Sequence, residues 1–113
     1  MAASKFTKSF VPISDEFVNF AAGRFRILAV PMRLRILHSL QRGELTVSQV
    51  MEATGASQAN ASKHLGVMTR AEMLKRRKDG LHVYYSIADP VIFELCELVC
   101  IKEQSTRKQS AAW

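Results

Sequence analysis

Ser57-Gln58-Ala59-Asn60-Ala61-Ser62-Lys63-His64-Leu65-Gly66-Val67-Met68 reads as a helix with two unlike faces. Ala61, Leu65 and Met68 fall at i, i+4 and i+7 and form one narrow apolar stripe. Gln58, Asn60, Ser62, Lys63 and His64 fall elsewhere. They are hydrogen-bonding side chains of moderate length, unlike the Glu/Lys mixture of an ordinary solvated helix. Gln and Asn can make two hydrogen bonds to an adenine edge, and Lys can reach guanine or a phosphate. Ser57 suits the N-cap position. A plain amphipathic surface helix would show the same apolar spacing, so the flanking sequence has to decide.

Upstream, Thr46-Val47-Ser48-Gln49 has the form of a capping box. Val47, Val50, Met51 and Thr54 then space as a short helix that Gly55 can end. Two short helices joined through Gly55-Ala56 make a helix-turn-helix pattern. Before them, Pro31 suits the first turn of a helix carrying Leu34, Leu37 and Leu40, with Gly43 as its stop. Ser14 can cap a still earlier helix, with Asp15 and Glu16 in its positive first turn. Phe17, Phe20, Ala21, Phe25 and Leu28 follow along it. Downstream, Leu74 to Lys78 and His82 to Ile87 read as strands, and Asp79-Gly80 between them is a hairpin turn signal. Asp89-Pro90 opens a last helix with Ile92, Leu95, Cys96, Val99 and Cys100 on one stripe. The fold class expected is mainly α with a small β-hairpin.

At 113 residues and 48% hydrophobic content the chain fits one domain with a small core. A protomer of this size often gains stability by burying apolar surface in a dimer. The expected boundaries are a basic arm at 1–13 with Lys5 and Lys8, a domain at 14–104, and a polar, frayed tail at 105–113 in which Trp113 could dock. The net charge of +6 favours a polyanionic partner. Lys63, Arg70, Lys75, Arg76, Arg77 and Lys78 against Glu72 and Asp79 place most of that charge on the polar helix and the hairpin. A basic run is usually just solvated, but here it adjoins groove-sized hydrogen-bonding side chains, as phosphate contacts would. No run of about 18 apolar residues is present to span a membrane. Residues 1–12 lack the apolar core of a signal peptide. Two cysteines are too few for a secreted disulfide framework. The expectation is a cytoplasmic protein with reduced thiols.

Leu28-Ala29-Val30-Pro31-Met32-Arg33-Leu34-Arg35-Ile36-Leu37, then Gly43-Glu44-Leu45-Thr46-Val47, Ser57-Gln58, Ser62-Lys63-His64-Leu65 and Val83-Tyr84-Tyr85 resemble the ArsR/SmtB family of bacterial repressors, in register from about residue 28 to 90. The resemblance implies a winged helix-turn-helix homodimer that binds a double-stranded DNA operator and leaves it when an inducer binds. It implies that the fourth helix reads the major groove and the hairpin is the wing. Ser57, Gln58, Asn60, Ser62, Lys63, His64, Arg76, Arg77 and Lys78 would then face DNA. It also implies that the first and last helices pair across the dimer, through Phe17, Phe20, Ile92, Leu95 and Val99. The sequence departs from the family in four places. Thr46 and Ser48 stand where metal-sensing members have third-helix cysteines, so no thiolate site is expected there. The last helix has no histidine, and Asp89 reads as a cap rather than a zinc ligand. Glu72 replaces a usual glycine, so the exit from the fourth helix could differ, and Val30 replaces a usual polar cap.

Cys96 and Cys100, at i and i+4, project from one helix face. Cysteine on an apolar stripe commonly packs in a core. Alternatively, two thiolates on one face could bind arsenite or another soft metal ion, or undergo thiol redox chemistry if a cation such as Lys102 lowered a thiol pKa. No cofactor beyond that is indicated. A disulfide between them within one straight helix is poor geometry, with Cα atoms about 6 Å apart but parallel Cβ vectors. Cys100 falls near the last-helix cysteine of persulfide-sensing members, whose second-helix partner position is occupied here by His38. His38 otherwise reads as a helix-surface or core residue, and His82 as part of a wing strand. Competing functions are a winged-helix module for protein or RNA, or a regulator with no thiol-based inducer. An enzyme is not expected, because no nucleophile–base pair, phosphate loop or metal cluster is apparent.

Overall fold

The computed structural model describes residues 11–110, with side chains through Arg107. Along the chain run α1 (Asp15–Leu28), α2 (Pro31–Ser39), β1 (Leu45–Thr46), α3 (Val47–Thr54), α4 (Gln58–Arg70), β2 (Leu74–Asp79), β3 (His82–Ile87) and α5 (Pro90–Ser110). The strands form an antiparallel sheet of order β1-β3-β2. The arm lysines Lys5 and Lys8 and the tail residue Trp113 lie outside the described residues. The boundary expected at residue 104 is not a helix end, because α5 continues to Ser110.

Short side chains set where each helix starts. Ser14 Oγ accepts the Phe17 N–H at 3.3 Å, with Asp15 and Glu16 in the first turn of α1. Thr46 Oγ1 accepts the Gln49 N–H at 3.3 Å while Gln49 Oε1 accepts the Thr46 N–H at 2.9 Å, a complete capping box. Ser57 Oγ accepts the Asn60 N–H at 3.2 Å at the start of α4. Asp89 Oδ1 accepts from Val91 and Ile92 at 3.1 and 3.3 Å and starts α5. Only α2 lacks a side-chain cap, since its N-cap residue is Val30 and it opens on Pro31. Between α3 and α4, Gly55 holds φ at +77°, a left-handed turn that glycine adopts at little steric cost.

The core forms where α2, α3 and α4 meet the root of the hairpin. Ile36 and Leu37 from α2, Val50 from α3, and Ala61, Leu65 and Met68 from α4 are fully buried, together with Met73 and Leu74. The apolar stripe of the opening stretch is thus the buried face of α4. Strand β1 was not legible as a strand. It has two residues, Leu45 and Thr46, paired with Tyr85 and Tyr84, too short to show alternation. Among the described residues no helix is long and apolar enough to cross a membrane.

The exit from α4 is strained. Glu72 has φ +63°, and it is the non-glycine residue with positive φ among those described. Its N–H donates to Thr69 O at 3.0 Å, and the next N–H, of Met73, donates to Met68 O at 2.9 Å. The turn that seats Met73 and Leu74 in the core therefore needs the left-handed backbone. A side chain there costs about 1–2 kcal/mol. Glu72→Gly removes that cost but adds unfolded-state entropy. The expected net is a gain of roughly 0.5–1 kcal/mol, read as a higher urea midpoint with an unchanged slope.

Candidate DNA interface and thiol groove

Burying Ala61, Leu65 and Met68 turns the rest of α4 outward. Gln58, Asn60, Ser62 and Lys63 are all exposed. Ser57 is exposed too, but its hydroxyl is engaged in capping the helix. His64 is placed differently from these. It is half-buried at the rim of the polar face, and its Nδ1 accepts a hydrogen bond from Arg33 Nε of α2 at 3.0 Å. Partial burial, then the Arg33 and Lys63 charges, push its pKa below the ordinary value of 6.5.

The hairpin separates three basic residues that look equivalent in sequence. Leu74 pairs with Ile87 and Arg76 with Tyr85, so alternation puts Arg76 and Lys78 on the face shared with buried Leu74. Arg77 points to the opposite face, across from Tyr84. Its guanidinium lies over the Tyr84 ring at 4.6 Å and makes two hydrogen bonds to Glu44, at 3.1 and 2.6 Å. A third, longer contact reaches Asp79 at 3.5 Å. The hydrogen bond from Arg77 holds the Glu44 carboxyl below the usual carboxylate range. All three are exposed, but Arg77 ties the wing to the loop ahead of β1, whereas Arg76 and Lys78 lie on the other face of the hairpin. His82, on β3, is exposed with its ring 6.2 Å from that of Tyr84.

A second arginine joins three helices. Arg24 of α1 donates to the carbonyl of Ala71, just past α4, at 2.9 Å, and to Asp89 Oδ2 at 3.2 Å. Asp89 is the residue that caps α5. Sequence reading missed Arg24, Arg33 and Glu44 because their side-chain partners Asp89, His64 and Arg77 lie 31 or more residues away, where no local pattern reports a contact.

The two thiols occupy unlike settings. Cys96 is buried and Cys100 exposed, and both line an open groove of about 670 Å³ between α2, the end of α3 and α5. His38 lines it as well, with Nδ1 3.3 Å from Glu97 Oε2. His38, read from the sequence as a helix-surface or core residue, thus faces α5 across the groove. Burial, followed by the neighbouring Cys100 and Glu97, pushes the Cys96 thiol pKa up. Lys102, named from the sequence as a cation that could lower a thiol pKa, lines a different depression, with Phe93 and Leu98, and does not offset the upward push on Cys96. Among the described residues, no three His, Cys, Asp or Glu side chains gather into a metal-sized cluster. Thr46 and Ser48 lie at the start of α3, where the Thr46 hydroxyl is used by the cap.

Of the apolar residues assigned to pairing, Phe17, Phe20 and Val99 are exposed by 65%, 62% and 58%. Leu95 is half-buried, and Ile92 packs against the protomer's own core.

The family model described as "Bacterial regulatory protein, arsR family" matches residues 31–76. A probable mercury resistance operon repressor of Streptomyces lividans is 38% identical over 74 residues, 66% of this chain and 59% of that protein. The chain belongs to the arsR family. Solved structures extend the likeness beyond the matched core. The AntR antimony-specific transcriptional repressor superposes with a TM-score of 0.78 at 26% identity, covering 95% of this ArsR-family chain and 98% of its own. The homodimeric winged helix-turn-helix DNA-binding domain of Mb0332 from Mycobacterium bovis superposes with a TM-score of 0.71 at 27% identity, covering 88% and 95%. This ArsR-family protein is accordingly a DNA-binding transcriptional regulator, with α3 and α4 as its helix-turn-helix and β2–β3 as its wing.

The unlike thiols have a measurable consequence. Alkylation follows thiolate fraction and access, so Cys100 should be modified at least about tenfold faster than Cys96 by iodoacetamide at pH 7.5. Peptide mass spectrometry over a time course reads the two rates, and equal rates would show that α5 leaves this packing readily.

Proposed function

We propose that this protein represses transcription as a homodimer on an imperfect DNA palindrome, and that a soft metalloid bound through Cys96 and Cys100 releases it. One observation carries the DNA half of this reading. Burial of Ala61, Leu65 and Met68 leaves Gln58, Asn60, Ser62 and Lys63 as an exposed polar row beside a basic wing. Amide side chains can read base edges, while Lys63 adds a charge for guanine or phosphate. Arg76 and Lys78 supply phosphate contacts from the wing. Arg77, ion-paired with Glu44, sets the angle of the wing. The exposed aromatics of α1 and Val99 of α5 make the partner surface, as homodimeric relatives of this fold suggest.

The inducer half rests on where the thiols sit. The groove holding Cys96 and Cys100 lies between α5 and the α2–α3 pair that carries the reading helix. A trivalent metalloid takes two thiolates there and a third donor from outside the protomer, an exogenous thiol or the partner chain. Each metalloid–sulfur bond replaces one hydroxide of arsenite, which leaves as water with the proton of Cys96 or Cys100, and drawing the two sulfurs onto one atom distorts that turn of α5. Arg24 and Asp89 join α5 to the end of α4, so movement of α5 alters the placement of the two reading helices. A dimer reads half-sites about 34 Å apart, so a change in that spacing lowers affinity. The likeness to an antimony-specific repressor and to a probable mercury resistance operon repressor favours a soft ion.

Two measurements test this reading. In operator titrations, Asn60→Ala should relax sequence choice at one base pair, with a discrimination loss of about 1–3 kcal/mol. Arg76→Ala should weaken all duplexes alike and reduce the salt slope by about 2, since each dimer loses two phosphate contacts. Salt-independent duplex binding by the parent would overturn the DNA reading. For the switch, Cys96→Ser, Cys100→Ser and the double variant should each keep operator affinity but resist release by arsenite. Release of all three at the parent concentration would show that the thiols only pack.

A further inference from the structure

The Arg33–His64 hydrogen bond defines the chemistry that the reading helix offers at its rim. A guanidinium Nε carries a hydrogen and has no lone pair to offer, so at 3.0 Å it can only donate. His64 Nδ1 must therefore be the acceptor, which excludes both the imidazolium and the Nδ1-protonated tautomer. The ring proton is then on Nε2. That N–H has no acceptor among the described residues, while the ring is only half-buried. Arg33 is itself held, through Nη1 to the carbonyl of Ile27 at the end of α1, at 3.0 Å. Asn60, one turn before His64 on α4, is exposed on the neighbouring part of the helix surface.

We propose that Arg33 is a positioning residue that fixes His64 as a neutral Nε2–H donor to an acceptor atom of the bound DNA. The depressed His64 pKa agrees with this, since a second positive charge beside Arg33 and Lys63 is disfavoured. His64 thus contributes a directed hydrogen bond and no charge. Losing it releases no counterions, so it should not alter the salt dependence. The acceptor is either a phosphate oxygen or a purine N7 or O6, and both take the same donor. The inference rests on the operator-binding reading and adds to it the state of one side chain and the residue that sets it.

The test uses the full chain and its operator duplex. His64→Ala should weaken binding on the order of tenfold, as for one neutral hydrogen bond lost in each half-site, with the salt slope unchanged. His64→Gln, whose amide places a donor at a similar reach, should restore part of that loss. Arg33→Met should weaken binding to a similar degree when His64 is present, but by less than about threefold in the His64→Ala background. An unchanged Arg33→Met effect in that background would assign Arg33 a purely structural role and overturn the proposal. A smaller salt slope in His64→Ala would instead identify a cationic phosphate contact and overturn it too. Long-range proton–nitrogen NMR of the unmodified protein at pH 7 gives a check that needs no variant, with His64 expected as the Nε2–H tautomer. A phosphate acceptor predicts equal His64→Ala losses on all duplexes, and a base acceptor predicts loss confined to one position. Failure of the parent to bind duplex DNA would sink the operator reading, whereas parent binding without any His64 or Arg33 effect would sink only this inference.

Discussion

The exposed polar surface of α4 depends on the burial of three of its side chains. Ala61, Leu65 and Met68 are inaccessible to solvent and lock the helix to α2, α3 and the root of the wing. The stripe is narrow, so most of the circumference of α4 stays free for polar side chains. A broader apolar face would bind the helix more firmly but would cover the positions of Asn60 or Gln58. Truncating a core residue such as Leu65 typically costs about 2–5 kcal/mol, a large part of the stability of a domain this small. Function and folding thus share one helix, divided by face.

Two arginines turn that helix from a packed element into a positioned one. Arg24 reaches the carbonyl just past the end of α4 and the residue that caps α5, so it joins α1, α4 and α5 through hydrogen bonds. Arg33 does the same from α2, joining the end of α1 to His64. Both are partly shielded from solvent, where charge-assisted hydrogen bonds are stronger and more directional than exposed ion pairs. Arg77 is the exposed counterpart on the wing, where stacking on Tyr84 adds to its ion pair with Glu44. In each case the guanidinium adds directional hydrogen bonds between elements of different sequence position.

The division between what could be read from the sequence and what could not follows the range of the forces. Capping by Ser14, Thr46, Ser57 and Asp89 acts within three residues, and all four caps were legible. The buried stripe of α4 and the Asp79-Gly80 turn are equally local. Glu72 could be singled out only against a family pattern, and its φ of +63° supplies the physical reason that glycine suits that place. The length of α5 was misjudged because polarity after residue 104 looks the same in an exposed helix as in a frayed tail. Arg76 and Lys78 could not be told from Arg77 without the register that pairs Arg77 with Tyr84. The unlike exposure of Cys96 and Cys100 was hidden for a similar reason, since both fall on one apolar stripe of α5 and line one groove, yet only Cys96 is covered.

The protomer leaves apolar surface that its own core cannot cover. Phe17 and Phe20 on α1 and Leu98, Val99 and Ile101 on α5 stand exposed, on the two helices outside the α2–α4 core. Burying apolar area is worth about 25 cal/mol per Å², so a second copy that covers these side chains supplies stability a small core lacks. That dependence also makes the pairing sensitive. The helix that would carry Val99 into the interface carries Cys96 one turn earlier, on the side facing α2. Cys96 lines the groove against α2, and Arg24 with Asp89 joins α5 to the end of α4, so the helix that carries Val99 is tied by hydrogen bonds to the packed core on both sides.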